Sequence, residues 1–513
     1  MSTQQNKIVL FDSNIKYIGT PLALLSITKL LDVNKYSISI ITKAEYPNYE
    51  NEILKQCKGS LCFGITCVIG TPIKIVLKIC QLVKQKYPSL PIILGGWQAN
   101  SLPDVTLENQ YIDYICTGQG ETTFKEFINM IENNDFKNID KIKGLSYKRN
   151  GVIIHNQLRE PEDLNQFPDF NLNLINWGKH LEVTDYGQKA LRIVTSYGCA
   201  YNCGFCCEPF ISKKRWKALS ADRIINFLLN LKKIVNFDSL VIVDNNFFTN
   251  EKRVRDFCKY LINNNFKVKI GQVNGRTDEL AKYKEETFVL LQKAGFCQIL
   301  IGTESANNEA LDFINKGTTI EDTSSVVKIC NRYSINLVIS VMLGLPIRNY
   351  FNKDVTNAFD AEFQGLFNLF KDFYKIEKYN HFLIFIYTPL PNSVLYDKAK
   401  ELGFVPPKNL EEWSNYELTD IHVPWISKNN IKKYRIFCYM AMLLGIDFKY
   451  FFRSLLWPLR LLAQMTISSA KFIIKIRLKY NYLKMPIDLN IFNIFLKIFK
   501  YLNKDKKISK VGG

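Results

Sequence analysis

The chain has no uninterrupted apolar run of the about 20 residues that a membrane-spanning helix needs. Its most apolar stretch, toward the carboxyl terminus, is broken at Arg435, Asp447, Lys449, Arg453, Arg460, Lys471 and Lys475. A transmembrane anchor is therefore not expected. Residues 1–7 are polar and the apolar piece Ile8–Phe11 is too short for the core of a secretory signal, so none is read. Cysteine is too sparse for a disulfide scaffold, and its count of 13 is odd, so the thiols cannot all pair within the chain. A reducing, cytoplasmic setting is expected. Neither a short-period repeat nor a low-complexity tract precedes the lysine-rich terminus. What is present is globular in composition: 513 residues, 47% hydrophobic and 22% charged. That length suits about three domains.

The net charge of +19 is unevenly placed. Residues 421–513 hold 18 Lys or Arg against Asp447, Asp488 and Asp505, a net +15, which leaves +4 for everything before them. The first 420 residues therefore need no polyanionic partner.

Apolar strand patterns alternate with helix patterns from the start: KIVLFD (7–12), SISIIT (37–42), LCFGIT (61–66), a helix over 72–86, PIILGG (91–96) and YICTG (114–118). Such alternation predicts a doubly wound parallel sheet covered on both faces. In these sheets ligands bind beyond the carboxyl ends of the strands. Gly95-Gly96 and Gly118-Gln119-Gly120 stand at such ends, either to admit a ligand or only to make tight turns.

Residues 146–190 lack periodicity and carry Pro161 and Pro168, as a connector packed on its neighbours would. A second series follows: LRIVT (191–195), SLVIVD (239–244), KVKIGQ (267–272), QILIG (298–302), NLVISVML (336–343) and HFLIFIY (381–387). Helices are predicted between them, including 221–235 with Ser220 as N-cap and 278–294 ending at Gly295. Six strand-helix units predict a (β/α)6 partial barrel over 191–405, with functional loops at the carboxyl ends of its strands. Residues 406–513 form the basic, mostly helical remainder.

Directly after the first strand of this series comes Cys199-x-x-x-Cys203-x-x-Cys206-Cys207. Three thiolates on a glycine-containing loop are soft ligands for an iron–sulfur cluster or for zinc. A structural zinc site wants four closed ligands, and Cys207, adjacent to Cys206, is awkward as the fourth. Cys207 is read as structural.

This loop, with Phe205 before its last cysteine, resembles that of the radical S-adenosylmethionine (SAM) superfamily. The resemblance implies a 4Fe-4S cluster on Cys199, Cys203 and Cys206, with the unique iron chelating SAM, whose one-electron cleavage yields a 5′-deoxyadenosyl radical. It continues at the ends of later strands. Asp244, Arg276, Glu304 and Ser305, with Phe205, are implied SAM contacts, and Gly344-Leu345-Pro346 matches the family's usual stretch after the fifth strand. Ordinary structural roles for the polar members stand beside this: a helix cap for Asp244, ion pairs for Arg276 and Glu304.

A Rossmann-like domain, 1–145, ahead of such a barrel resembles the cobalamin-binding class of the superfamily. The resemblance implies a corrinoid between the sheet's strand ends and the barrel mouth, contacted by Thr66, Gly95, Gly96, Trp97, Gly118, Gly120 and Glu121. The chain's four histidines begin at His155, so this domain offers no axial imidazole. Class logic then implies methylation of an unactivated carbon in a small-molecule, lipid-like or natural-product substrate, driven by an external one-electron reductant. Two alternatives stand: a radical cyclase or rearrangement enzyme, and a non-enzymatic zinc module tethering a basic protein to membrane or nucleic acid.

In the tail, Phe448, Phe451, Phe452, Leu455, Leu456 and Leu459 fall on one helical face beside Lys449, Arg453 and Arg460, and Pro458 should kink or end that helix. The face either lies in a membrane interface, making the protein peripheral to the inner side of a membrane, or packs on the barrel. No nucleic-acid-binding module is recognised, and no such partner is expected.

Overall fold

The computed structural model describes residues 6–16, 19–347, 355–376, 381–418, 420–445 and 457–480. A seven-stranded sheet forms from β1 (Asn6–Asp12), β2 (Tyr36–Ile41), β3 (Ser60–Thr66), β4 (Ile92–Gly95), β5 (Tyr114–Cys116), β6 (Leu145–Arg149) and β7 (Val152–His155). Its order is β2-β1-β3-β4-β5-β6-β7. The first five strands are parallel, and their central apolar runs are buried on both faces, as in Ile8–Phe11, which is 0% exposed throughout. Helices Pro72–Lys86 and Glu121–Asn133 cover the sheet, the former with the bounds that its periodicity predicts.

β6 and β7 correct the expected boundary. They add an antiparallel hairpin to the sheet's edge in residues read as the start of a connector. The hairpin is short and half-polar, with only residues 145–147 buried, which hides it from an apolar-run reading. The rest of the connector is irregular but packed: Trp177 is 2% exposed, and His180, fully buried, bonds the Gly19 carbonyl and Glu45 Oε1 at 2.9 Å each.

The second unit contains β8 (Ala190–Ile193), β9 (Ser196–Gly198), β10 (Trp216–Ala218), β11 (Ser239–Ile242), β12 (Lys269–Gly271), β13 (Val273–Gly275), β14 (Gln298–Glu304), β15 (Asn336–Leu343) and β16 (His381–Ile386). β12-β11-β8 and β13-β14-β15-β16 are parallel throughout, and β9 pairs with β10 in a separate antiparallel ribbon. All six predicted strands are present. The third is β12; at Gln272 a φ of +52° turns the chain, and β13, beyond the expected strand, begins the second sheet of the wall. Among the described residues the arc does not close into a complete barrel.

Three helix expectations need correction. The segment 278–294 is two helices, Thr277–Leu280 and Glu285–Lys293, because Tyr283 donates to the Phe248 carbonyl and the Lys284 N–H to Glu251 at 3.0 Å. Ser220 occupies the N-cap position, but its side chain does not cap. The helix after it ends at Lys232. In the tail, Phe448, Lys449, Phe451, Phe452, Arg453, Leu455 and Leu456, and the side chain of Leu459, lie outside the described residues. Pro458 stands in the first turn of the helix Trp457–Tyr480, where its missing N–H costs no hydrogen bond. No described helix is long and apolar enough to cross a membrane.

Glu362 is buried against the loop after β15. Its Oε2 accepts the Gly344 N–H at 2.9 Å, and the Trp425 indole donates to the Gly344 carbonyl at 3.1 Å. Burial pushes the Glu362 carboxyl up to about 8, opposed by the Gly344 and Leu345 N–H groups. The folded chain therefore binds this proton more tightly than the unfolded one. The resulting stability is present below about pH 4.5 and is lost as pH rises toward about 8. Glu362→Gln, uncharged throughout, should flatten that decline in urea-denaturation midpoints measured from pH 5 to 8.

Candidate active site

The cysteine loop follows β9 and is stitched to the barrel by backbone bonds. The Gly204 N–H donates to the Ile314 carbonyl at 2.7 Å, and its carbonyl accepts from Leu395 N–H at 2.8 Å. Asn315 Nδ2 donates to the Asn202 carbonyl at 2.8 Å. Tyr201 is anchored by its hydroxyl to Glu279 at 2.6 Å, and Glu279 also accepts from Asn246 at 2.7 Å. Cys199 and Cys206 are half-buried, and Cys203 is 9% exposed.

Donors converge on these sulfurs. Arg276 Nη1 lies 3.5 Å from Cys203 Sγ, and the Glu208 N–H lies 3.4 Å from Cys206 Sγ. Burial pushes the Cys206 thiol up to about 12 and also raises Cys199. A bare thiolate is thus disfavoured in this loop, and a bound cationic centre would reverse the balance. Three thiols from one loop, with N–H donors on their sulfurs, fit a cluster held by Cys199, Cys203 and Cys206. Cys207 is turned away beside Ser101, and burial pushes its thiol up to about 11.

Around the loop lie the implied SAM contacts. Glu304, at φ +61° on a bulge that ends β14, meets Lys316 Nζ at 3.0 Å. Gly302 makes room for this pair, since a Cβ there would stand 2.4 Å from Glu304 Oε1 and 2.8 Å from Lys316 Nζ. Lys316 also lies over the Phe205 ring at 5.6 Å. Ser305 Oγ accepts the Asn307 N–H at 3.2 Å. The buried hydroxyls of Thr277, Thr303 and Thr318, close to Arg276, Glu304 and Lys316 in sequence, have no hydrogen-bond partner among the described residues. Unpaired buried hydroxyls beside fixed charges suit a polar ligand such as SAM. Asp244 has other business: Thr195 N–H and Oγ1 donate to its carboxylate at 2.6 and 2.5 Å, with Arg253 4.0 Å away. It ties the end of β11 to that of β8.

A cavity of about 530 Å³ lies between the strand ends of the first sheet and the barrel's opening strands. Thr66, Gly95, Gly96, Trp97, Gly118, Gly120 and Glu121 all line it. From the barrel side come Ser196, Tyr197, Glu208 and Asn245. The size falls in the range of cofactor pockets, and the lining is mostly apolar with a few polar groups. Gly96 is a cradle: at φ +90°, a Cβ would stand 2.7 Å from both Thr66 Oγ1 and the Cys67 carbonyl. The hydroxyls of Ser196 and Tyr197 are buried without partners among the described residues, which fits an amide-rimmed corrinoid able to bond them.

Sequence reasoning missed Glu208, Tyr197, Lys29 and Lys316. Burial pushes the Glu208 carboxyl up to about 7, with Asn245 and Ser212 opposing, and burial lowers Lys29. Only Glu208 carries a local signal, the acid-proline start of a short helix. Gly96→Ala should cost about 1–3 kcal/mol through backbone strain, read as a lowered urea midpoint of the full chain.

Comparison with known proteins agrees with this geometry. A model of the B12 binding domain matches residues 9–128, and one of the radical SAM superfamily matches residues 193–355. An uncharacterized methyltransferase of Pyrococcus horikoshii is 26% identical over 275 residues, 52% of this chain and 57% of the relative. The anaerobic magnesium-protoporphyrin IX monomethyl ester cyclase of Synechocystis sp. is 24% identical over 326 residues, 61% of this chain and 62% of that one. The chain thus spans less than two thirds of these curated relatives. The solved cobalamin-dependent radical SAM enzyme OxsB, with aqua-cobalamin and SAM bound, has the same fold, with a TM-score of 0.68 at 18% identity. That superposition covers 97% of this chain and 76% of OxsB. The chain thus carries a B12 binding domain over residues 9–128 ahead of a radical SAM domain over residues 193–355.

Proposed function

We propose that the protein is a cobalamin-dependent radical SAM methyltransferase acting on an unactivated carbon of a small-molecule substrate. The carrying observation is the shared cavity: glycine-rich strand ends of the first sheet form one side, and Ser196, Tyr197 and Glu208 from the cysteine-loop region form the other. When bound, the cluster supplies one electron to SAM from an external reductant, and the corrinoid supplies a transferable methyl group.

The chain's own residues have definable tasks. Cys199, Cys203 and Cys206 hold the cluster on a loop that Gly204 and Tyr201 keep in register. Phe205, Arg276, Glu304 and Ser305 surround the SAM position, and Asp244 holds that part of the wall through Thr195. Thr66, Gly95, Gly96, Trp97, Gly118, Gly120 and Glu121 receive the corrinoid, with Gly96 letting its turn pack against the Cys67 backbone. The apolar cavity wall keeps water from reactive groups.

A radical cyclase is the second reading, supported by the cyclase among the similar proteins. Full-length protein reconstituted anaerobically with iron, sulfide, cobalamin and SAM should yield both 5′-deoxyadenosine and S-adenosylhomocysteine after reduction. Deoxyadenosine alone would favour the cyclase. Alanine in place of any one of the three cysteines should bring iron content close to background and abolish nucleoside release. Unchanged iron and turnover would defeat the proposal.

We also place the protein in a reducing cytoplasm, which its 13 free cysteines suit. The helix Trp457–Tyr480 exposes Trp457, Met465, Phe472 and Tyr480 beside Lys475 and Lys479, a pattern that favours peripheral contact with an anionic membrane. Flotation with anionic liposomes should recover the full chain and lose a chain truncated after Asp420. Equal recovery removes that part of the reading.

A further inference from the structure

We propose that Arg276 sets the reduction potential of the cluster through Cys203, an inference that rests on the radical SAM reading. Its Nη1 donates to Cys203 Sγ at 3.5 Å in surroundings that leave the arginine 5% exposed. The guanidinium is held in place on every side. Nε donates to Asp278 Oδ1 at 3.0 Å, and Nη2 donates to the Lys316 carbonyl. Its plane lies over the Tyr201 ring, 3.5 Å from the centroid, and Tyr201 is itself tied to Glu279.

The three sulfurs are treated unequally. Cys206 accepts a backbone N–H from Glu208, and Cys199 interacts with the Tyr201 backbone. Cys203 meets a side-chain guanidinium, and its charge is also felt by the buried Lys316. Adding an electron to a thiolate-bound cluster increases negative charge on its sulfurs. A fixed cationic donor on one sulfur therefore stabilises the reduced state more than the oxidised one. Burial amplifies the difference, since little water screens it. Asp278 tempers the effect, because its carboxylate offsets part of the guanidinium charge. Arg276 and Asp278 thus form an opposed pair in which Arg276 directly contacts Cys203 and its charge also reaches Cys199; both are positioning residues, and neither transfers electrons itself.

The test is an electron-paramagnetic-resonance redox titration of full-length, anaerobically reconstituted protein, with iron counted in every sample. In Arg276→Gln the ratio of reduced to oxidised cluster at a fixed potential should fall about tenfold, equivalent to about 59 mV for one electron. Asp278→Asn should move the ratio the other way. Arg276→Lys, which keeps the charge and loses the fork, should fall between wild type and Arg276→Gln. A merely loosened loop would not produce opposite shifts. Iron-loaded variants with wild-type potentials, or shifts of the same sign, would overturn the inference. So would loss of iron from both Arg276→Gln and Asp278→Asn, because tuning leaves ligation intact. A wild-type chain that takes up no iron would instead bring down the radical SAM reading itself.

Discussion

Two backbone hydrogen bonds at Gly204 carry much of the site's geometry. Through them the cysteine loop is gripped by Ile314, which precedes β15, and by Leu395, which follows β16. A loop of this kind must present three sulfurs at fixed spacing whether or not they are ligated, and short side chains alone could not hold it. Tyr201 adds a third point, reaching Glu279 on the helix after β13. Pinning a loop to a rigid scaffold at several points is what precise ligation requires. The same grip places Glu208, two residues beyond Cys206, in the wall of the interdomain cavity.

Around that loop the barrel mouth concentrates charge where apolar packing would be cheaper. Lys316 and Glu304 form a buried pair, and Arg276 and Asp278 form another. Buried ion pairs contribute little net stability because desolvation offsets their attraction. Their value here is orientation: Lys316 is held by Glu304 at the end of β14, and Arg276 by the Lys316 carbonyl and Tyr201 as well as by Asp278, so a ligand meets an electrostatic frame that need not rearrange. The cavity follows a complementary logic, with glycine in place of side chains at the strand ends and unpaired hydroxyls of Ser196 and Tyr197 opposite.

Strand-ends and helix spans were legible wherever burial imposed a clean period. Asn336–Leu343 and Pro72–Lys86 match their patterns, since both elements are governed by contacts along a single face or run. The cysteine spacing was legible because Cys199, Cys203 and Cys206 lie within eight residues. Legibility failed where the partner was remote or the signal mixed. The β6–β7 hairpin alternates too weakly to read, and the helix after β13 breaks for Tyr283 and Lys284 to reach Phe248 and Glu251. The bonds of Asp244 to Thr195, 49 residues earlier, were likewise not legible in the sequence.

By itself, then, the order of residues determined the two-unit architecture, the cysteine loop and the glycines at the strand ends. Each of these depends on interactions over a few positions or on the steric freedom of one residue. Only tertiary structure decided that Arg276 would face Cys203, 73 residues away, and that Tyr197 and Glu208 would close a cavity opened by Thr66 and Gly96. Such meetings are products of chain closure: they arise when distant segments pack, and no local periodicity encodes which polar atom will find which partner.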